Sequence, residues 1–124
     1  MSHQTKYKSS FRDLGLLTKA MEAKGYAKAR ETNMQVTFTQ QGSHPVHVLT
    51  AADGSLTIST DLHYGPGSQK IKRLLGSPEN GYEALATAYN TIQMTEHFTA
   101  QGYEVTQQNL DGEVVLTIGM QEGW

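Results

Sequence analysis

The chain opens with a weak alternation. In "HQTKYKSSF", residues 3–11, Thr5, Tyr7, Ser9 and Phe11 fall on one side, and Lys6 and Lys8 on the other. A period of two marks a strand, and lysines pointing away suit one at a sheet edge. The period then changes. Leu14, Leu17, Ala20 and Met21 recur at spacings of three and four, which gathers them on one stripe of a helix. Asp13 stands where an N-cap is wanted, and Gly25 where a glycine ends the helix.

Alternation returns in "MQVTFTQ", with Val36 and Phe38 against Thr37 and Thr39. A turn at "QGS" leads to a second strand, "HPVHVLT", whose Pro45 is tolerated near a strand start. "ADGS" is an Asp-Gly hairpin signal, and "SLTIST" follows with Leu56 and Ile58 in alternation. These three strands predict an antiparallel meander. Residues 61–81, "DLHYGPGSQKIKRLLGSPENG", read as the longest irregular stretch, with a short helical turn over residues 70–75. A second long helix is predicted from about residue 82 to residue 101, its apolar face built from Leu85, Ala88, Tyr89, Ile92, Met94 and Phe98. "YEVTQQ" and "EVVLTIG" then pair across a second Asp-Gly turn in "NLDG". The order β-α-β-β-β-α-β-β predicts an α+β fold over residues 1–124 as one domain. It has a mostly antiparallel sheet of about six strands and two helices packed on one face.

Composition narrows the chemistry. Hydrophobic residues make up 37% of the chain and charged residues 18%, ordinary proportions for a globular protein. Cys is absent, which removes thiol nucleophiles, thiolate metal sites and disulfides. No apolar run approaches the ~20 residues of a membrane-spanning helix. The first residues lack a basic-then-apolar leader pattern, and the expectation is a soluble cytoplasmic protein. The net charge of −2 hides an uneven distribution. Residues 1–30 carry seven cations and two acids, whereas residues 74–124 carry seven acids and no Lys or Arg. Such a split lets an anion bind one face, or lets two parts of a domain or two subunits attract each other. The acidic overall balance argues against a nucleic-acid partner.

Several segments together resemble a known family. They are "MSH" at the start, "FRD" ahead of a helix that ends in "GY", and "AYNTI", "GYEV" and "DGEVVLTI" near the end. In this order they are similar to domain-of-unknown-function family 1257, which includes the hypothetical chloroplast reading frame 35 protein of algal plastids and cyanobacteria. The likeness covers both ends, roughly two-thirds of the chain. The middle departs from it: "HYGPGSQKIKRLLG" stands where the family has a Trp-containing segment. The resemblance implies the same order of elements and no settled activity. Members also look to be encoded in phage genomes, so it implies a phage source as one option.

The strongest binding candidate is "GPGSQKIKR" with the tyrosine before it. Gly65 and Gly67 free backbone N–H groups for close approach, Ser68 donates a hydrogen bond, and Lys70, Lys72 and Arg73 supply positive charge. A glycine turn entering a helix N-terminus is an anion cradle, and Tyr64 can stack on a nucleobase. The spacing matches neither the P-loop nor the dinucleotide-binding fingerprint. His3 and Tyr7 form a second candidate pocket on the first strand. His44 and His47 are spaced three apart, which on a strand sends them to opposite faces, so no metal site is expected there. No nucleophile–base motif and no cofactor signature occurs, and no cofactor is expected.

The reading that results is a non-catalytic binding protein for an anionic, nucleotide-like ligand. If the source is a phage, sequestering a host nucleotide signal as counter-defence is its concrete form. A regulatory adaptor for a larger protein and a metal-dependent hydrolase are the alternatives. A homo-oligomer is expected, joined through sheet edges or through Trp124.

Overall fold

The structure, a computed structural model, describes residues 4–63, 65–111 and 113–120. The elements in chain order are β1 (Gln4–Lys8), α1 (Leu14–Ala23), β2 (Ala27–Glu31), β3 (Gln35–Thr39), β4 (Val46–Thr50), β5 (Leu56–Asp61), α2 (Gly65–Leu74), a short 3₁₀ turn (Pro78–Asn80), α3 (Glu83–Ala100), β6 (Tyr103–Leu110) and β7 (Glu113–Met120). The α+β class and the antiparallel pairing are those read from the sequence. The counts differ: the described residues hold three α-helices and seven strands, and the strands form two sheets.

The larger sheet has five strands in the order β1-β5-β4-β3-β2, and every pairing is antiparallel. Its centre is the expected meander. Phe38 pairs with Val46, Val46 with Thr60, and Val48 with both Val36 and Ile58. Directly opposed residues share a face, so this set, with Tyr7 opposite Ile58, forms one apolar surface. All three helices place buried side chains against it: Leu17, Ala20 and Met21 from α1, Ile71 from α2, and Leu85 and Tyr89 from α3. Burying an aliphatic or aromatic side chain fully is worth about 1.5–3 kcal/mol, so this cluster supplies most of the driving force for the fold.

Two elements depart from expectation. β2 lies where no strand is predicted, because all five of its side chains are exposed and the alternation in "AKARE" sets only alanine, not a large apolar residue, against charge. The short helical turn expected over residues 70–75 is the end of a ten-residue helix that begins at Gly65, inside the stretch expected to be irregular. The glycines and prolines there mark the ends of that helix and its neighbours. Gly65 begins it with φ of 75°, and Gly76 follows it with φ of 96°. Ile71 and Leu75 are fully buried, which holds the helix down from its inner side.

The first helix begins and ends as its sequence indicates. The Asp13 carboxylate accepts a hydrogen bond from the Leu16 amide at 3.1 Å, and Gly25 has φ of 91°. The Asp13 amide also donates to the Tyr89 hydroxyl at 3.1 Å, which ties the start of α1 to α3.

The second sheet is the β6–β7 hairpin, paired without a break from Tyr103 opposite Met120 to Leu110 opposite Glu113. It forms a separate sheet instead of extending the larger one, and it rests on α3. The seam is incompletely filled. Open clefts of about 320 and 370 Å³ run along it, lined by Thr87, Thr91, Val114 and their neighbours.

Candidate functional site

The face of the five-stranded sheet away from the helices contributes nothing to the buried apolar cluster. One row crosses all five strands on that side: Lys6, Ser59, His47, Thr37 and Arg30, each opposite the next. His47 Nδ1 lies 2.9 Å from Thr37 Oγ1 and 3.1 Å from Gln35 Nε2. The row is exposed and cationic at its two ends, Lys6 and Arg30, half-buried at His47 and Thr37, and buried at Ser59.

The concave site lies at one end of the same sheet. A cleft of about 420 Å³ is lined by Thr5 of β1, Leu62 and His63 after β5, Lys72 of α2, and Ser77, Pro78 and Glu79 of the 3₁₀ turn. Three separate stretches of chain meet here because β1 pairs with β5, whose continuation runs through His63 into α2. The His63 amide donates to the Asp61 carboxylate at 2.9 Å, which fixes the exit of β5. Its ring Nε2 lies 3.4 Å from Thr5 Oγ1. Across the cleft, Glu79 is held ionised. Its backbone amide, the Ser77 hydroxyl and the positive charge of Lys72 set its carboxyl below the usual range. The cleft therefore offers a cation, a carboxylate, an imidazole and two hydroxyls to one small volume.

Tyr82 closes the region behind the 3₁₀ turn. It is fully buried and sits at φ of 51°, a left-handed conformation that a bulky residue rarely adopts. Its ring meets Tyr7 edge-on with centroids 5.4 Å apart. Its hydroxyl has no hydrogen-bond partner among the described residues. Burial, with smaller contributions from Glu79 and Tyr7, pushes the phenol up to about 12.

The residues singled out in the sequence are dispersed by this architecture. Lys70 donates from its ammonium to the Gln41 carbonyl at 2.6 Å, which pins α2 to the β3–β4 turn. Lys72 lines the cleft. Arg73 is exposed in the last turn of α2, where its charge and that of Lys72 complement the helix dipole. Lys72 lies seven positions after Gly65, about 10 Å along the helix, so the glycines and these cations do not surround one point. Gly67 has a packing explanation: a Cβ there would meet the His44 ring at 2.9 Å. Ser68 is buried. Tyr7 packs on Tyr82 beside the cleft. Tyr64, His3 and Trp124 lie outside the described residues.

Lys72 is thus the member of the cationic set that lines this cleft. Its companions Thr5, His63, Ser77 and Glu79 carried no motif, and only the fold brings them to it. Searches of family models, of curated proteins and of solved structures give no match to this chain. The likeness read from its two ends therefore rests on the quoted residues alone.

Proposed function

We propose that this protein binds a small anionic molecule in the cleft beneath the 3₁₀ turn. The observation that carries the reading is the meeting of Lys72 with His63, Thr5 and Ser77 in one concavity. Lys72 supplies the charge, while the Thr5 hydroxyl and the His63 imidazole supply directional hydrogen bonds, the Ser77 hydroxyl being given to Glu79. Glu79 faces the same space ionised, so the best ligand also carries a hydrogen-bond donor such as an amino group. A nucleotide combines the two, with phosphate toward Lys72 and exocyclic amine toward Glu79. A cleft of this size suits a ligand of about that bulk. Sequestration of a nucleotide signal is the form this reading takes if the source is a phage.

The test is calorimetric titration of the protein with nucleoside monophosphates and with inorganic phosphate, repeated on Lys72→Glu. Lys72 is exposed in the last turn of α2, so the fold tolerates the change. The expected result is nucleotide binding that weakens by roughly 10-fold or more on charge reversal, since a charge-assisted hydrogen bond is worth about 1.5–3 kcal/mol. Equal affinity in the two proteins would sink the reading.

The adaptor reading draws on a different surface. The row from Lys6 to Arg30 offers an acidic partner protein a cation at each edge of the sheet with polar side chains between. Binding to a partner that Lys6→Glu and Arg30→Glu abolish, with Lys72→Glu harmless, would favour it.

A further inference from the structure

The described sheets present four strand edges, and they are not equally guarded. β1 has two lysines within its five residues. β2 carries Lys28, Arg30 and Glu31, and its register slips between Lys28 and Arg30. Charges and bulges of this kind discourage a second strand from adding to an edge. β6 is polar along its second half, where Gln107, Gln108 and Asn109 follow one another. β7 has none of these protections. It reads "EVVLTIGM", with one charge at its first residue, no proline, no lysine and an unbroken register over eight pairs.

The neighbourhood of β7 is also under-covered. Val115 is 37% exposed, Ile118 38%, and Met94 on the helix beneath 45%. A two-stranded sheet is marginal in water on its own. The molecule therefore protects its stable sheet and leaves its weaker one bare.

We propose that β7 is a self-association edge, where two copies pair antiparallel about a two-fold axis near Leu116 and build a four-stranded sheet, β6-β7-β7-β6. The sequence of β7 suits its own reverse. Centred on Leu116, Val114 of one copy opposes Ile118 of the other, and Val115 opposes Thr117. β-branched pairs of this kind stabilise a sheet. The charges also agree. Glu113 of one copy falls opposite Gly119 of the other, which places the two Glu113 side chains about 20 Å apart. A parallel pairing would set them side by side. Among the described residues of the facing copy, Glu104 is opposite Gly119 and hence two strands away from the incoming Glu113, about 10 Å, where physiological salt screens most of the repulsion. The hydrogen bonds are in register too. A two-residue turn makes Leu110 and Glu113 a bonded pair, so the amides of Val114, Leu116 and Ile118 point outward.

Sedimentation velocity of the full chain from roughly 1 to 200 μM, a span that brackets micromolar affinity, tests the proposal. It is run beside the double substitution Val115→Lys and Thr117→Lys. Both side chains are on the solvent face of the hairpin, and in the pair they would bring four ammonium groups together across the axis. The expected result is a dimer that the double substitution weakens at least ~10-fold, because like charges on facing strands repel. Hydrogen exchange on the unaltered chain decides the matter even if that variant folds poorly. The amides of Val114, Leu116 and Ile118 should gain protection as concentration rises. A monomer at every concentration would overturn the proposal, as would a dimer in which those amides stay unprotected. Assemblies that keep growing with concentration would mean head-to-tail joining, and protection that appears only with an added partner protein would assign the edge to that partner. Either of these also overturns it.

Discussion

Tyr82 departs from ordinary packing in three respects. Its backbone is left-handed, its ring is fully buried, and its hydroxyl lacks a partner among the described residues. An unsatisfied buried hydroxyl costs about 1–3 kcal/mol, so Tyr82→Phe should raise stability by roughly 1 kcal/mol while keeping the edge-on contact with Tyr7. Urea titration of the two proteins measures this, and a loss of stability would reveal a bond that the hydroxyl makes. The same residue sets a pH dependence. A tyrosine ordinarily loses its proton near 10, and in the fold Tyr82 does so at about 12. The folded state therefore binds the proton more tightly. The stability this contributes is complete below pH 10 and is lost at up to about 1.4 kcal/mol per pH unit as pH rises from 10 to 12. Alkaline unfolding of Tyr82→Phe should be shallower over that window, and identical profiles would refute the assignment.

Gly76 joins α2 to the 3₁₀ turn. It sits at φ of 96°, and a Cβ there would lie 2.8 Å from the Glu83 backbone nitrogen. Gly76→Ala should cost about 1–3 kcal/mol, read as a lower thermal midpoint, since neither the backbone nor the start of α3 can yield freely. An unchanged midpoint would show that this turn is pliable.

Among elements, legibility followed burial. β3 and β4 were readable because each sends one side into the core, so Val36 and Phe38 alternate with threonines and Val46 and Val48 flank His47; β5 was readable from Leu56 and Ile58, although its Ser59 and Asp61 are buried as well. β2 was not readable, because an edge strand with every side chain in water carries no such signal. α2 was hidden differently. Its Gly65, Pro66 and Gly67 suggest a loop when counted, yet they occupy the first turn, where proline is favoured and glycine costs little. The candidate site fared worst. Lys72 was visible as a charge, but Thr5, His63, Ser77 and Glu79 become a group only through the pairing of β1 with β5 and the turn after α2. No short-range pattern encodes that meeting. The β6–β7 hairpin was legible from its Asp-Gly turn, while its separation from the larger sheet was not.

At the scale of the whole molecule, stability is unevenly distributed. The five-stranded sheet is sealed on one face by side chains from all three helices, whereas the hairpin rests on α3 over clefts of about 320 and 370 Å³. Exchange should therefore be slowest in β3, β4 and β5 and fastest, among strands, in β6 and β7 at dilution. Hydrogen exchange at low concentration measures the order, and equal protection in the two sheets would mean that they open as one unit.

The position of β1 carries a consequence for how the chain comes into being. The ribosome makes β1 well before β5, yet the sheet uses one against the other, with Lys8 opposite Thr57 and Gln4 opposite Asp61. At synthesis rates of about 5–20 residues per second, the first strand waits some seconds before its mate emerges. The neighbouring strands of the meander can meanwhile close in sequence as adjacent hairpins. Lys6 and Lys8 then acquire a second meaning, as charges that keep an orphaned strand in water until the last seam of the sheet can be sewn.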